Sequence, residues 1–121
     1  MGYPIKNLVD LESLTGGKPK FITLTAAVPT YQMLPNDRCI TIYSSADDAA
    51  GILYLPFMGD AAGKYYYICA PTGATAGDIS IYTSEGTAAE LSTYGDLDAD
   101  DDHVILYCDG RKWRVFYNGV A

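Results

Sequence analysis

The sequence contains little of the chemistry that enzyme active sites use. Its 121 residues include one histidine, His103, and three cysteines. A Ser-His-Asp or Cys-His unit would have to use His103, but no Gly-x-Ser-x-Gly or comparable nucleophile motif is present. The sequence has no short-spaced Cys/His ligand pair and no glycine-rich phosphate loop. We therefore predict a protein that is not an enzyme and holds no metal or cofactor. The enzyme alternative is a glycosidase with paired carboxylates, because acidic residues are abundant.

The sequence also lacks the features of a secreted or membrane protein. Three cysteines cannot form a complete set of intrachain disulfides, so we expect buried free thiols at Cys39, Cys69 and Cys108. No apolar run approaches the ~18 residues of a membrane-spanning helix, and residues 1–4 lack the start of a signal peptide. These features predict synthesis in a reducing cytoplasm and no membrane partner.

Basic residues are scarce: eight Lys and Arg stand against fifteen Asp and Glu, and the net charge is −7. Nucleic-acid binding needs a basic surface, so this composition argues against a nucleic-acid partner. Residues 1–20 carry three lysines and two acidic residues, or +1, which leaves −8 on residues 21–121. We predict a slightly basic N-terminal arm, 1–20, and one acidic domain, 21–121. The arm either docks on an acidic surface or is an ordinary frayed terminus.

The domain consists of short strand-like segments separated by turn residues. Segments rich in Ile, Val, Thr and Tyr cover residues 21–27, 38–44, 51–56, 64–70 and 78–83 and both arms of a C-terminal hairpin. Residues 87–91 are ambiguous, and no internal repeat is visible. We predict an all-β fold of seven or eight antiparallel strands, arranged as a β-sandwich, a jelly roll or a small barrel, behind the short N-terminal arm.

Asp109-Gly110 is the clearest turn signal in the chain. This dipeptide between two apolar runs predicts a β-hairpin with a two-residue type I′ loop, whose twist matches that of the flanking strands. One side of the hairpin, including Trp113, is then almost entirely apolar, and we expect it to lie in the core. The predicted cross-strand pairs are Cys108 with Arg111, Leu106 with Trp113 and Val104 with Val115.

The acidic run at residues 96–102 has two interpretations. Alternating carboxylates suit calcium, but an EF-hand loop starting at Asp96 would need Gly at position 101 and Glu at 107, where the chain has Asp101 and Tyr107. We therefore favour a solvated acidic turn that also discourages strand-edge aggregation. A looser calcium loop is the alternative.

Tyrosine dominates the aromatic residues: the chain has eleven, beside three phenylalanines and one tryptophan. Tyrosine contributes apolar area and keeps a polar hydroxyl, which favours protein interfaces. In a strand, Tyr65 and Tyr67 point to one face and Tyr66 to the other. We predict that Tyr65, Tyr66, Tyr67 and Tyr107 form an oligomer interface. The alternative is that they are half-buried strand residues of a monomer.

The chain resembles bacteriophage virion proteins over roughly residues 21–118. Small β modules of phage tail fibres, head fibres and capsid decoration proteins end in an acidic residue, an alternating apolar strand, Asp-Gly, two spacers, Trp and a short strand. Here these are Asp102, residues 104–108, Asp109-Gly110, Trp113 and residues 115–117. Residues 51–56, which end in Leu-Pro, and the Gly-x-x-Tyr-x-Ile of residues 63–68 resemble the same modules.

The resemblance implies a structural function without catalytic residues. The expected protein is a capsid decoration (cement) subunit on the virion surface, a homo-oligomer and specifically a trimer, bound to the major capsid protein. Docking would use the apolar residues of the arm, Ile5, Leu8, Leu11 and Leu14. The alternative is a tail- or head-fibre module that recognises a host glycan. The absence of an elongated repetitive shaft favours decoration.

Overall fold

The computed structural model describes residues 19–44, 51–70, 79–84, 96–97 and 101–119. This part of the chain forms nine strands and one short helix, so the all-β expectation is confirmed. The predicted N-terminal arm lies outside the described residues, apart from its last two positions. The elements are β1 Lys20–Leu24, β2 Thr30–Gln32, β3 Cys39–Ser44, β4 Gly51–Tyr54, α1 Met58–Ala61, β5 Tyr65–Ala70, β6 Ile79–Tyr82, β7 Asp96–Leu97, β8 Asp102–Cys108 and β9 Trp113–Gly119.

The strands form two sheets, and the chain alternates between them. Sheet A has the order β1-β3-β5-β8-β9, and sheet B has the order β2-β4-β6-β7. From β1 to β6 each new strand pairs in parallel with the strand two before it. This connectivity is that of a short β-helical coil, in which each turn adds one strand to each sheet. Its turns differ in length, because one turn runs from Lys20 to its partner Ile40 and the next from Ile40 to its partner Ile68. The unequal lengths hide the repeat in the sequence.

The predicted antiparallel arrangement is therefore wrong for most of the fold. Antiparallel pairing is confined to β5–β8, β8–β9 and β6–β7, which end the coil. Alternating apolar and polar residues indicated antiparallel strands because parallel sheets are usually covered on both faces. In this coil each parallel sheet has one covered and one outward face, so its strands alternate as antiparallel strands do. A jelly roll or an antiparallel sandwich does not describe this topology.

The core lies between the inner faces of the two sheets. In β5 the burial alternates strictly, with Tyr66, Ile68 and Ala70 buried and the intervening residues only partly covered. Burying a large aliphatic or aromatic side chain stabilises the fold by roughly 1.5–3 kcal/mol. A single apolar cluster joins both sheets, and its members include Ile22, Leu24, Ile40, Ile42, Leu53, Tyr66, Ile68, Ile79, Ile81, Leu97, Val104, Leu106 and Trp113.

The C-terminal hairpin is confirmed, but its predicted register is wrong by two residues. Cys108 pairs with Trp113 and Leu106 with Val115, around a four-residue loop, 109–112. A shift of two keeps the side chains next to the loop on their predicted faces because strand side chains alternate with a period of two, up to the register shift between Ile105 and Leu106. Trp113 is accordingly buried, as expected.

The Asp109 carboxylate explains the longer loop. Its Oδ1 accepts hydrogen bonds from the backbone N–H groups of Arg111 and Lys112, both at 2.8 Å, and its Oδ2 accepts one from Arg114 Nε at 2.6 Å. Asp side chains commonly cap backbone N–H groups two or three residues ahead. Gly110 adopts a positive φ of 89° inside the loop, as the predicted turn requires at this position.

Candidate interaction surface

The outward side of sheet A spans five strands of the described part of the chain. We call it the outer face of sheet A. The strand pairing brings its side chains into rows across five strands, and residues from the first and last strands share one surface. Its members are Phe21, Thr23, Cys39, Thr41, Tyr43, Tyr65, Tyr67, Cys69, His103, Ile105, Tyr107, Arg114 and Phe116.

Charge is almost absent from this face. Among its described side chains only Arg114 is permanently charged, and its Nε lies 2.6 Å from Asp109 Oδ2. The hydrogen bond from Arg114 holds the pKa of Asp109 far below its usual value, with help from the N–H groups of Lys112 and Arg111. Protein interfaces are depleted of charged residues at their centres and enriched in aromatic ones. The outer face of sheet A has both properties.

Two aromatic groups occupy opposite sides of the face. At one side the Tyr65 ring lies 4.8 Å from that of Tyr107 and 5.0 Å from that of Phe116, which is 44% exposed. At the other side Phe21 is 69% exposed and Tyr43 37% exposed. Contiguous exposed apolar patches of more than a few hundred Å² mark interaction sites.

Two side chains in the middle of the outer face of sheet A are buried from solvent. Cys39 and Ile105 belong to the outer face, yet each is only 2% exposed. Burial raises the pKa values of the Cys39 and Cys69 thiols and of the Tyr67 hydroxyl. A thiol with a raised pKa is protonated at neutral pH and is a poor nucleophile. All three cysteines are free, as expected, but only Cys39 and Cys108 are fully buried, and Cys69 is partly exposed.

Cys39 and Cys69 do not form a disulfide in the observed strand register. Cys39 pairs with Tyr67, and Thr41 pairs with Cys69, so the thiols are diagonal neighbours on β3 and β5. Diagonal neighbours lie about 7–8 Å apart, beyond the usual Cα separation of a disulfide. Their position favours a packing function.

His103 lies on the same face next to the end of β9. Its Nδ1 is 2.8 Å from the carbonyl oxygen of Asp101. The ring covers Gly119, where an added Cβ would collide with His103 Nε2. Among the described residues, no group of three His, Cys, Asp or Glu side chains is arranged to hold a metal ion.

The acidic run is only partly the solvated turn that we favoured. Asp96 and Leu97 form β7, and Asp102 begins β8 with only 1% exposure. Asp101 is exposed and has a positive φ of 64°. The calcium alternative depends in part on residues 98–100, which lie outside the described residues.

The predicted tyrosine interface needs one correction. Tyr65, Tyr67 and Tyr107 lie on the outer face of sheet A, but Tyr66 is fully buried on the inner face. Its ring packs edge-on against Trp113 at 5.5 Å, and its hydroxyl donates a hydrogen bond to the Pro35 carbonyl. Burial raises the pKa of Tyr66 to about 12. Tyr66 is a core residue, and the prediction that it lies in an interface was wrong because strand alternation turns it inward. The docking residues Ile5, Leu8, Leu11 and Leu14 lie outside the described residues.

Sequence reasoning missed Phe21 as a member of this surface. In β1 and β3, Phe21 and Tyr43 alternate with the buried Ile22 and Ile42, and this alternation indicates that their side chains point outward. Phe116 was harder to assign because a register shift between Ile105 and Leu106 changes the facing order along β9.

The buried carboxylate of Asp37 links the segments of the first turn of the coil by hydrogen bonds. Asp37, 7% exposed, accepts hydrogen bonds from Leu34 N at 2.9 Å and Tyr31 Oη at 2.7 Å, and Lys20 Nζ lies 3.2 Å away. Burial acts to raise the pKa of Asp37, but these three donors together lower it below 3.8. The hydrogen bonds to Tyr31 and Asp37 raise the pKa of Lys20. This network joins β1, β2 and the loop into β3, and it supports the edge of the outer face that holds Phe21.

Comparison with known protein families, curated proteins and solved structures finds no match to this chain. No described helix is long and apolar enough to cross a membrane.

Proposed function

We propose that this protein is a structural subunit that self-associates through the outer face of sheet A. The observation that carries the proposal is a five-stranded face that has exposed aromatic rings and one charged side chain, itself neutralised. A chain with a net charge of −7 repels its own copies over most of its surface. An uncharged aromatic face is where two copies can meet without that repulsion.

The size of the face favours an oligomer with several contacts over an isolated dimer. Five strands about 4.8 Å apart and about five residues long give a footprint of roughly 400 Å². A standard protein interface buries about 800 Å² on each partner. One such contact is weak alone, but it becomes strong when several are made at once in a ring or on a shell.

The two aromatic groups support a ring. Phe21 and Tyr43 lie near β1, whereas Tyr65, Tyr107 and Phe116 lie near β9. Contact between different patches of successive copies is heterologous, and a heterologous contact closes into a ring when the rotation permits. This is compatible with the trimer implied by the resemblance to phage virion modules.

With that resemblance, the proposed biological setting is the surface of a phage virion. The subunit would act as a decoration protein that binds the major capsid protein and stabilises the shell by burying apolar area between neighbouring capsomers. No catalytic step enters this function. The candidate partner is tested by electron microscopy of phage shells incubated with the purified protein.

The self-association is tested by light scattering over a concentration series. Phe21→Ser with Phe116→Ser removes one exposed ring from each side of the face and should shift the protein to a monomer. Phe57→Ser is the matched control, because Phe57 is 53% exposed but precedes α1 and lies off the face. A wild-type monomer at all concentrations would contradict the proposal and favour the glycan-binding fibre module.

A further inference from the structure

The basic residues of this acidic protein are gathered at one end of sheet A. Each described Lys or Arg lies at the N-terminal end of a strand of this sheet, either just before it or within its first two residues. We call this group the basic end. Its members are Lys20 for β1, Arg38 for β3, Lys64 for β5, and Arg111, Lys112 and Arg114 for β9.

The strand directions bring these residues together. β1, β3 and β5 are mutually parallel, and β9 runs in the same direction because it is antiparallel to β8, which is antiparallel to β5. The N-terminal ends of all four strands therefore lie at one end of the sheet. Helix α1 is at the same end, since Cys108 Sγ approaches Met58 O at 3.6 Å.

The basic end carries a local charge opposite to that of the whole chain. Among the described residues it holds six basic side chains and three acidic ones, Asp37, Asp60 and Asp109, a surplus of three positive charges. The chain has a net charge of −7, so its remaining residues carry −10. Asp37 and Asp109 are engaged with Lys20 and Arg114.

Part of the exposed charge lies in the hairpin loop. Arg111 and Lys112 are both exposed, and Lys64 is partly exposed beside them, where its carbonyl accepts a hydrogen bond from Cys108 N. Asp60 on α1 is the exposed acidic residue of this end. The surplus positive charge therefore faces solvent beyond the edge of the sheet.

The opposite end of sheet A is acidic in its described residues. β8 begins there with the buried Asp102, preceded by the exposed Asp101, and both aspartates also interact within the chain. Ala70, the last residue of β5, pairs with Asp102, which places both aspartates at the C-terminal ends of the parallel strands. The charges of the described part of sheet A are thus separated along the strand direction.

We propose that the basic end docks on the acidic end of a second copy of this chain, which gives end-to-end contacts along the strand direction. Charge complementarity between the two ends carries this inference. The contact is distinct from association through the outer face, because it uses charged loops and not the aromatic rings. Its exposed charges at Arg111, Lys112 and Asp101 lie outside the outer face of sheet A, so it stands whether or not the proposed lateral contact forms. Screening by salt weakens contacts between exposed charges, so this contact should be strong at low ionic strength.

The test compares sedimentation of the full chain at ionic strengths of about 0.01 M and about 1 M, where the screening length falls from ~30 Å to ~3 Å. The wild type should form larger species in the low-salt buffer only. Arg111→Glu with Lys112→Glu should weaken this association about tenfold, since each reversed charge acts at an exposed contact. Asp60→Lys, a change of opposite sign at the same end, should strengthen it.

A mixing experiment identifies the second copy as the partner. Asp101→Lys reverses the described exposed charge at the acidic end and should also weaken association, with thermal unfolding confirming that the variant folds. An equal mixture of this variant with the Arg111→Glu, Lys112→Glu variant should recover association, because the two reversed ends attract. The proposal is overturned if low-salt association is absent, if either variant leaves it unchanged, or if the mixture does not recover it. Phe21→Ser with Phe116→Ser should leave the salt-dependent part intact, which separates this contact from the lateral one.

Discussion

Replacing Asp37 by Asn should destabilise the protein without changing its shape. Asp37 is almost fully buried, and its Oδ2 accepts hydrogen bonds from both Leu34 N and Tyr31 Oη, while Oδ1 faces Lys20 Nζ. An asparagine can keep its carbonyl oxygen at the Oδ2 position, but its amide N–H₂ then points at the Lys20 ammonium group. The variant loses the negative charge of the Asp37 carboxylate, and its new amide donor faces the Lys20 ammonium group, which is also a donor.

The expected cost is about 1–2 kcal/mol of the free energy of unfolding, because hydrogen bonds to a charged group contribute about 1.5–3 kcal/mol and part of them survives. Asp37→Ala loses all three acceptor contacts and leaves Leu34 N–H without its partner, so it should cost about 3 kcal/mol. Tyr31→Phe removes one donor and should cost less than either.

The assay is urea unfolding of the wild type and the variants at neutral and acidic pH. The pKa of Asp37 is lowered in the folded state, so its stabilisation is present above the unfolded value of 3.8 and is lost as the pH falls through the folded value. The difference between wild type and Asp37→Asn should therefore be full at pH 7 and shrink below about pH 3.8. Equal stability at pH 7, or a difference that persists unchanged in acid, would refute the account of this network.

Three further substitutions test the hairpin and the core. Trp113→Ala should lower the free energy of unfolding by about 3–5 kcal/mol, because it opens a core cavity. Trp113→Phe should lower it much less, because the buried indole N–H has no hydrogen-bond partner among the described residues. Both are measured by urea unfolding. Gly119→Ala should displace the His103 ring, seen as a changed imidazole NMR signal, with a loss of about 1–3 kcal/mol from the clash; an unchanged signal would contradict the packing described. Asp109→Ala should lower the melting temperature, and Asp109→Asn should lower it less, because the amide keeps one oxygen for the loop N–H groups.

The sequence was sufficient to predict the strand content and the hairpin, because both depend on local signals. The alternation of apolar residues and the Asp109-Gly110 turn signal each depend on only a few neighbouring positions. Together they correctly predicted that Trp113 is buried. The inward direction of Tyr66 follows from the same alternation, although the sequence did not indicate which face of β5 was inner.

The parallel coil and the charge separation could not be predicted in this way. One-sided burial has the same alternation in parallel and antiparallel strands, and turns of unequal length concealed the repeat. A lysine or arginine near the start of four strands of sheet A has no spatial meaning until the directions of the strands are known. The hairpin register depended on a side chain, the Asp109 carboxylate, whose hydrogen bonds favour a four-residue loop over the two-residue turn.

The most direct test of self-association is the molar mass of the purified protein by light scattering, measured over a concentration series at high ionic strength, where end-to-end contacts are screened. The account predicts that the wild type and Phe57→Ser form the same oligomer and that Phe21→Ser with Phe116→Ser is a monomer. A wild-type monomer at every concentration, or an oligomer unaffected by loss of both rings, would contradict the claim that the outer face of sheet A is an assembly surface.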